Sequence, residues 1–419
     1  MKEHKTEVLV VGAGPVGLLT AILLADAGIQ VEVIDREECT AARSYACALH
    51  PKTLKLLARL GLAPALLKRG LRIPTIAFYD SSKRRAEIKL SELGGEFPFI
   101  LTLPQSDLEE ILEERLRQRS GLEVKWNYRC SGFESDDKGV TASVEKLGGT
   151  GTGYIVPHWE TVVLKRFPFQ AQFIIGADGH NSLVRRCLGI EYESMAKPES
   201  FAAIEFESDL EPMDELRIVL DDATTNVLWP LPGNRLRWTF QLLPCNELDE
   251  FPQKARSAIR VGGANVDEDL RRWTQEVSRE RAPWFCRSIK DIAWCTQVTF
   301  ERRLAKQFGR GRCWLVGDAA HQTSPAAAQS LNVGLLEADS LATSLRLILR
   351  EGAKIDLLTA YDRECRRRWH QLLGLDGGLS SCYDTDAWVR SRIARILPAV
   401  PALDGDLSNL VSQLGLNLA

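Results

Sequence analysis

Between Glu7 and Asp35 the apolar positions change their spacing twice. Glu7–Val11 is a short, nearly continuous apolar run, Val16–Ala27 repeats with a helical period, and Gln30–Asp35 alternates. A glycine-rich turn separates the first two segments, and Gly28 stands where a helix C-cap belongs, so a strand–helix–strand unit is expected. A second helix is expected over Lys52–Leu60, stopping at Gly61. From Ile73 to Ile100 the pattern becomes short strands with charged turns such as Ser81-Ser82-Lys83-Arg84. Ser106-Asp107-Leu108-Glu109 reads as a capping box opening a helix to about Arg119. Strands are expected at Glu123–Trp126 and Val140–Glu145, and Gly148–Gly153, which no helical pattern follows, reads as a hairpin turn. An apolar strand, Phe173–Ile175, leads into Gly176-Ala177-Asp178-Gly179. Residues 201–300 are β-rich, and Leu236, Trp238, Phe240 and Leu242 alternate with Arg235, Arg237, Thr239 and Gln241 as in a half-buried strand. Cys313–Val316 is a further buried strand, and helices dominate from about Leu331, one of them over Asp386–Leu397 placed to pack on the core or cap a pocket. After Pro398 the chain is expected to be loop-rich with a short final helix. The pattern defines an α/β fold: a Rossmann-like domain interrupted by a β-sheet insertion, then a helical C-terminal region.

Composition narrows this little. A chain of 419 residues has core volume for two or three domains, and its net charge of −3 offers no footprint for nucleic acid. Arg366-Arg367-Arg368 reads as a solvated helix face. The ten cysteines form no Cys-x-x-Cys pair, which argues against a metal site or disulfide framework and for reduced thiols in a cytoplasmic protein. Val8–Ala25 is apolar, but three glycines and a proline interrupt it, and no membrane span is expected.

Candidate chemistry begins at Gly12-Ala13-Gly14-Pro15-Val16-Gly17, which fits the dinucleotide fingerprint between a strand and a helix. Its first glycine makes the turn, the second admits the pyrophosphate against the backbone, and the third lets the helix pack on the strand. Free amides at the helix N-terminus suit the phosphates. Asp35 ends the next strand, 18 residues past Gly17, where it would accept ribose hydroxyls; an acid there disfavours a 2′-phosphate, leaving FAD or NAD as the resident nucleotide. Farther on, Gly317-Asp318-Ala319-Ala320-His321 lies between a strand and a helix N-terminus, a place for a ligand with hydroxyls and developing negative charge.

Three motifs in this order, Gly12–Gly17, Asp178-Gly179-His180-Asn181-Ser182-Leu183-Val184-Arg185 and Gly317–His321, resemble the flavin-dependent aromatic hydroxylases, the p-hydroxybenzoate hydroxylase-like single-component monooxygenases. His50-Pro51-Lys52-Thr53-Leu54 and Leu103-Pro104-Gln105-Ser106-Asp107-Leu108 resemble that family's second and third helix starts. The resemblance covers about residues 5–190 and 298–365. It implies a resident FAD, transient NADPH or NADH, and hydroxylation of a phenolic or polyketide-like aromatic molecule by O2 through a flavin C4a-hydroperoxide, with the chemistry carried by the cofactor. It implies an FAD-binding domain over 1–72, 101–188 and 298–346, a substrate domain over 73–100 and 189–297, and a C-terminal helical region over 347–419. Asp318 would then hold the ribityl chain and Gln105 contact the flavin side chain, with Gly317 in the same motif. Asp178 and Gly179 would serve FAD and NADPH, Arg36 would lie beside Asp35 at the nucleotide, and Leu331 and Asn332 would face the pyrimidine edge of the flavin. No side chain is assigned a catalytic role; Pro325, Ala328 and Gln329 are placed near the flavin, and His321 is read as structural.

The chain departs from the family twice. Tyr45 stands where the family has arginine before alanine, making Arg43 the candidate for that charge. Pro325-Ala326-Ala327-Ala328-Gln329-Ser330-Leu331-Asn332 has Ala327 and Ser330 at the two glycine positions of the family's flavin loop, and Ala328 too stands where glycine would be expected. At positive φ each would cost about 1–2 kcal/mol and leave the flavin less mobile or displaced. A flavoprotein oxidoreductase without oxygen insertion therefore stays open, as does a halogenase, although no Trp-x-Trp-x-Ile-Pro motif is present. The substrate pocket is expected between the inserted sheet and the flavin, lined from Phe201–Glu207, Arg217–Leu220, Thr225–Trp229 and Leu236–Leu242, with Arg235 and Arg237 as candidates for an anionic substrate. Assembly as a homodimer is left open. The roughly fifty residues after His370 are too few for the thioredoxin-like domain of many polyketide-acting relatives.

Overall fold

A computed structural model describes residues 4–40, 46–152, 158–208, 213–244, 250–252, 268–286 and 288–418. Strand His4–Val11 pairs in parallel with Val31–Ile34 on one side and with the long strand His158–Gly176 on the other, and Cys313–Leu315 continues the parallel set. The ends of these strands toward the helices, Val8–Val11, Phe173–Ile175 and Cys313–Leu315, are continuously apolar and buried because helices cover the sheet there, among them Pro15–Asp26 and Gln329–Glu351. Tyr128–Ser135 and Val140–Thr152 extend the long strand as antiparallel neighbours.

The second sheet has seven strands in the order Ile292–Phe300, Glu199–Glu207, Arg235–Leu242, Thr225–Leu231, Glu215–Leu220, Thr75–Tyr79, Arg84–Lys89. Only Thr75–Tyr79 and Glu215–Leu220 pair in parallel. One face, carrying Trp238, Phe240 and Phe206, is covered by helix Glu268–Arg281 through Leu270, Trp273 and Val277. From the other face Ile218, Val227 and Trp229 join the main core. That double cover corrects the expectation for Arg235–Leu242: Arg237 and Thr239, the supposed solvent face, are buried, and Arg237 pairs with Glu205 at 2.9 Å.

Other expectations are also corrected. The capping box does not form: helix Gln105–Ser120 starts directly after Pro104, whose fixed φ sets the first turn, and no side chain caps it. Gly148–Thr152 are ladder residues paired with His158–Val162, so any turn falls in 153–157, outside the described residues. Glu123–Trp126 contributes one bridge, Lys125 to Ile34, rather than a strand. Asp386–Leu397 is broken into helices Ala387–Arg390 and Ile393–Ile396, and its Trp388 and Ile396 pack into the core. Helix Glu268–Arg281 and the short pair Leu379–Ser381 with Leu416–Leu418 had no counterpart in the sequence pattern. No helix among the described residues is long and apolar enough to cross a membrane.

Candidate functional site

Parallel register brings the three motifs together. Val11 is level with Ile34 and Gly176, and Gly176 with Leu315, so the strands end on one edge and deliver Gly12, Asp35, Asp178-Gly179 and Gly317-Asp318 to it. Ligands of open parallel sheets bind beyond such an edge. Two cavities lie there, of about 290 and 310 Å³, and both are bordered by Gly14, Ala177 and Gly179. The first reaches Gln105, Asp318, Pro325, Leu331 and Phe300; the second reaches Asp35, Arg36 and Asp178. Together they form one groove suited to an extended molecule.

The three fingerprint glycines differ in what surrounds them. A Cβ on Gly12, which has φ +109°, would stand 2.2 Å from the Ala177 carbonyl oxygen, and one on Gly17 would stand 2.0 Å from that of Gly12. Gly14 would meet nothing within 4 Å, because its open side faces the groove. Helix Pro15–Asp26 aims its free first-turn amides at the same space. Asp35 accepts from the Ala13 amide at 2.6 Å and the Glu37 amide at 2.9 Å, which fixes its carboxylate at the groove wall. Arg36 is at the rim, paired with Glu37.

Asp178 caps the short helix Leu183–Cys187 through Oδ2, which accepts from the Leu183 and Val184 amides at 2.7 and 3.2 Å. Its Oδ1 is buried with no partner among the described residues, and burial pushes the carboxyl pKa up. Asp318 is exposed to the first cavity, and the protein packed around it raises its pKa by desolvation, against the pull of His321 and His180. Both carboxyls are placed to gain from a hydroxyl-bearing ligand.

The second and third motifs are tied to each other by Arg185, which donates to the carbonyls of Ala319 at 2.7 Å and His180 at 2.8 Å and lies 3.8 Å over the Tyr192 ring. His321 faces away from the groove: its Nε2 meets Glu337 at 2.8 Å and its ring stacks 4.0 Å from Trp369. Glu337 also accepts from the Gly317 amide and the Trp369 indole, so this buried network holds the Gly317-Asp318 turn from behind. Arg185 stood in the second motif without a role of its own, and Tyr192, Glu337 and Trp369, distant from the motifs along the chain, were not singled out from the sequence.

The loop ahead of helix Gln329–Glu351 differs from expectation. Ala328 alone takes the left-handed conformation, φ 52° and ψ 33°, whereas Ala327 and Ser330 keep negative φ. The Ser330 hydroxyl accepts from the Thr323 amide at 3.1 Å. Strain thus belongs to Ala328 and not to the two positions where the family has glycine. Ala328→Gly should raise stability by up to about 1 kcal/mol, while Ala327→Gly and Ser330→Gly should each lower it by about 0.5–1 kcal/mol, read by denaturant titration. The reverse order would place the strain elsewhere.

The helix begins at Gln329, and of the first-turn amides, which have no partner within the helix, those of Ser330 and Leu331 belong to residues that border the first cavity. Asn332 does not border it. Its side chain is buried, accepting from the His50 amide at 2.8 Å and donating to the carbonyls of Ala48 and Ala328. Gln105 borders the cavity and donates to Glu109 at 2.7 Å. Arg43 and Tyr45 lie outside the described residues.

His50, whose place before a helix was legible, reaches this loop directly: its Nε2 donates to the Ala327 carbonyl at 2.7 Å, and burial pulls its pKa down from 6.5 to about 4. Unfolded His50 takes up a proton near pH 6.5 but the folded one only near pH 4, so its contribution is intact above 6.5 and lost as pH falls between those values. The total loss is about 3 kcal/mol. Denaturation curves at pH 7, 5.5 and 4.5 should show that slope in the native protein and a flatter one in His50→Gln; equal slopes would exclude His50 as its source.

Fold and groove together define an α/β dinucleotide-binding protein with an inserted sheet over one end of the ligand channel. A family model described as "FAD binding domain" matches residues 5–375, and the chain belongs to that family. It is similar to pentachlorophenol 4-monooxygenase of Sphingobium chlorophenolicum, 28% identical over 376 residues, covering 87% of this chain but 63% of that protein. It is 27% identical to para-nitrophenol 4-monooxygenase of Pseudomonas sp. (strain WBC-3), covering 86% of this chain and 82% of the relative. The crystal structure of p-nitrophenol 4-monooxygenase from Pseudomonas putida DLL-E4 superposes with a TM-score of 0.73 at 22% identity, over 98% of this chain and 94% of that one, which shows a shared fold.

Proposed function

We propose that this chain carries the FAD-dependent, NAD(P)H-consuming hydroxylation of a phenolic small molecule by O2. The observation that carries the reading is the groove: a polar half suited to a nucleotide runs over Gly14 and Gly179 into a half bordered by Phe300, Pro325 and Leu331, apolar enough for an aromatic ring. Relatives named for chlorinated and nitrated phenols support a phenol as the substrate class.

In this reading Gly12, Gly14, Pro15, Val16 and Gly17 receive the pyrophosphate, Asp35 and Arg36 the adenosine end, and Asp178, Gly179 and Asp318 the hydroxyl-rich linker, with Gln105 beside the flavin side chain. Bound FAD supplies hydride acceptance and oxygen activation. The protein orients it and excludes water. Amides of Ser330 and Leu331 at a helix N-terminus stabilise negative charge on the flavin's pyrimidine edge, and Asn332 positions that helix through His50 and Ala48. The unit over 1–72, 101–188 and 298–346 binds FAD, 73–100 and 189–297 form the substrate sheet, and 347–419 covers the loop side. Free O2, a cytoplasmic setting and self-association as a homodimer complete the proposal.

NADPH and NADH oxidation under air, with a panel of substituted phenols and product mass, tests it. Substrate-stimulated oxidation with a product gaining 16 Da is expected. Chlorine isotopes in the product would make the chain a halogenase, and coenzyme oxidation without any modified phenol would make it a reductase.

A further inference from the structure

Residues 379–418 run from the flavin loop to the inserted sheet, and hydrogen bonds anchor them at both ends. Gln329, buried at 1% exposure immediately after strained Ala328, donates its side-chain amide to the carbonyls of Val400 at 3.1 Å and Leu397 at 3.4 Å. A few residues earlier, Arg392 donates to the Leu220 carbonyl at 2.9 Å and to Asp222 at 3.0 Å, and Arg395 grips the carbonyls of Asp221 and Thr224. Those carbonyls form the turn between sheet strands Glu215–Leu220 and Thr225–Leu231. Farther along, Gln413 accepts from the Lys89 amide at 2.8 Å and donates to its carbonyl at 3.1 Å, on the edge strand of the same sheet. Asp404 pairs with Lys52 at 2.7 Å on the helix that follows His50.

A side chain bonded only to backbone carbonyls does no chemistry at a groove, and burying a glutamine amide is costly unless both N–H groups are used. Gln329 uses both on the strap and none on the cavity. We infer that Gln329 is a positioning residue through which the strap 379–418 locks the flavin loop to the substrate-facing sheet. The fixed quantity is the spacing between the Ser330 and Leu331 amides and the sheet. This rests on the proposed function only for what the spacing is for; the mechanical coupling stands without it. Ala328 makes the lock necessary, because a residue held in the left-handed region persists only where its surroundings over-determine it.

The experiment compares the FAD-loaded full chain with Gln329→Met and Arg395→Met, the second cutting the strap at the sheet end. Amide hydrogen exchange over 323–332, the visible circular dichroism of bound FAD and its dissociation constant are read in all three. Both variants should speed exchange of the loop at least about tenfold and weaken FAD about tenfold. Exchange in strand His4–Val11 should stay as in the native protein, which separates a loosened loop from global destabilisation. Arg395→Lys, able to keep one carbonyl contact, should recover part of the protection. If Gln329→Met loosens the loop and Arg395→Met does not, the strap transmits nothing and the inference falls; it falls equally if neither changes. A native protein that binds FAD but modifies no phenol would overturn the proposed function while leaving these exchange results to decide the strap.

Discussion

Gly14→Val should fold as well as the native chain and purify without flavin, whereas Gly12→Ala should fail to fold. The two glycines are two residues apart, and the tolerated replacement is the bulkier one, three carbons at Gly14 against one at Gly12. What separates them is where that bulk goes. Gly14 has φ −67° and ψ 177°, values any L-residue adopts, and its Cβ would enter space empty to 4 Å. Gly12 sits at φ +109°, and a methyl added there would stand 2.2 Å from the Ala177 carbonyl oxygen, where the strand-to-strand register cannot relax. The expected cost at Gly12 is about 3 kcal/mol or more, enough to unfold many domains. At Gly14 the loss falls on the ligand: at least a roughly hundredfold weaker FAD, about 3 kcal/mol, since the methyls occupy the pyrophosphate's approach. Absorbance ratio of the purified protein, fluorescence titration with FAD and unfolding of the apoprotein together decide it. A flavin-loaded Gly14→Val would mean that the groove is not the nucleotide site.

That contrast also shows what could be read from residues in order. The βαβ start, the acid at Asp35 and the two later glycine–aspartate turns each announce themselves within a few positions, because each is a strand end feeding a turn. Their meeting at one edge needs only that the strands be parallel. Gly148–Thr152 defeated the same reasoning: glycines suggest a turn, but here long-range pairing with His158–Val162 overrides local preference. Arg237 and Thr239 looked solvent-facing because alternation reports one buried face and is silent about a second, more polar one. The loop at Ala328 shows a further limit. Ala327, Ala328 and Ser330 all stood where glycine was expected, and only Ala328 takes the left-handed conformation, a choice that no pattern of residue types reveals. Gln329, Glu337 and Arg185 act across tens or hundreds of positions, where one sequence carries no pairing information.

Replacing Glu337 should destabilise the apoprotein in a graded order. Its carboxylate is fully buried and serves three donors: the Gly317 amide at 3.1 Å, His321 Nε2 at 2.8 Å and the Trp369 indole at 2.8 Å. Removing it with Glu337→Ala leaves those donors without an acceptor and a cavity among them, a loss of about 4 kcal/mol. Glu337→Gln keeps the volume but turns one acceptor into a donor. Its amide nitrogen must then face Trp369 Nε1, which can only donate, or the Gly317 amide and His321; the expected cost is about 2 kcal/mol. Trp369→Phe removes one donor and keeps most of the stacking on His321, so about 1 kcal/mol is expected. Denaturant unfolding of the apoproteins should give that order, Ala worst and Phe mildest. FAD binding should weaken in the two Glu337 variants beyond what Trp369→Phe causes, because only Glu337 holds the Gly317 amide that sets Asp318 toward the groove. Were Glu337→Ala to cost under 1 kcal/mol, or to bind FAD like the native chain, the network behind the turn would be packing alone and Asp318 would owe its position to the backbone.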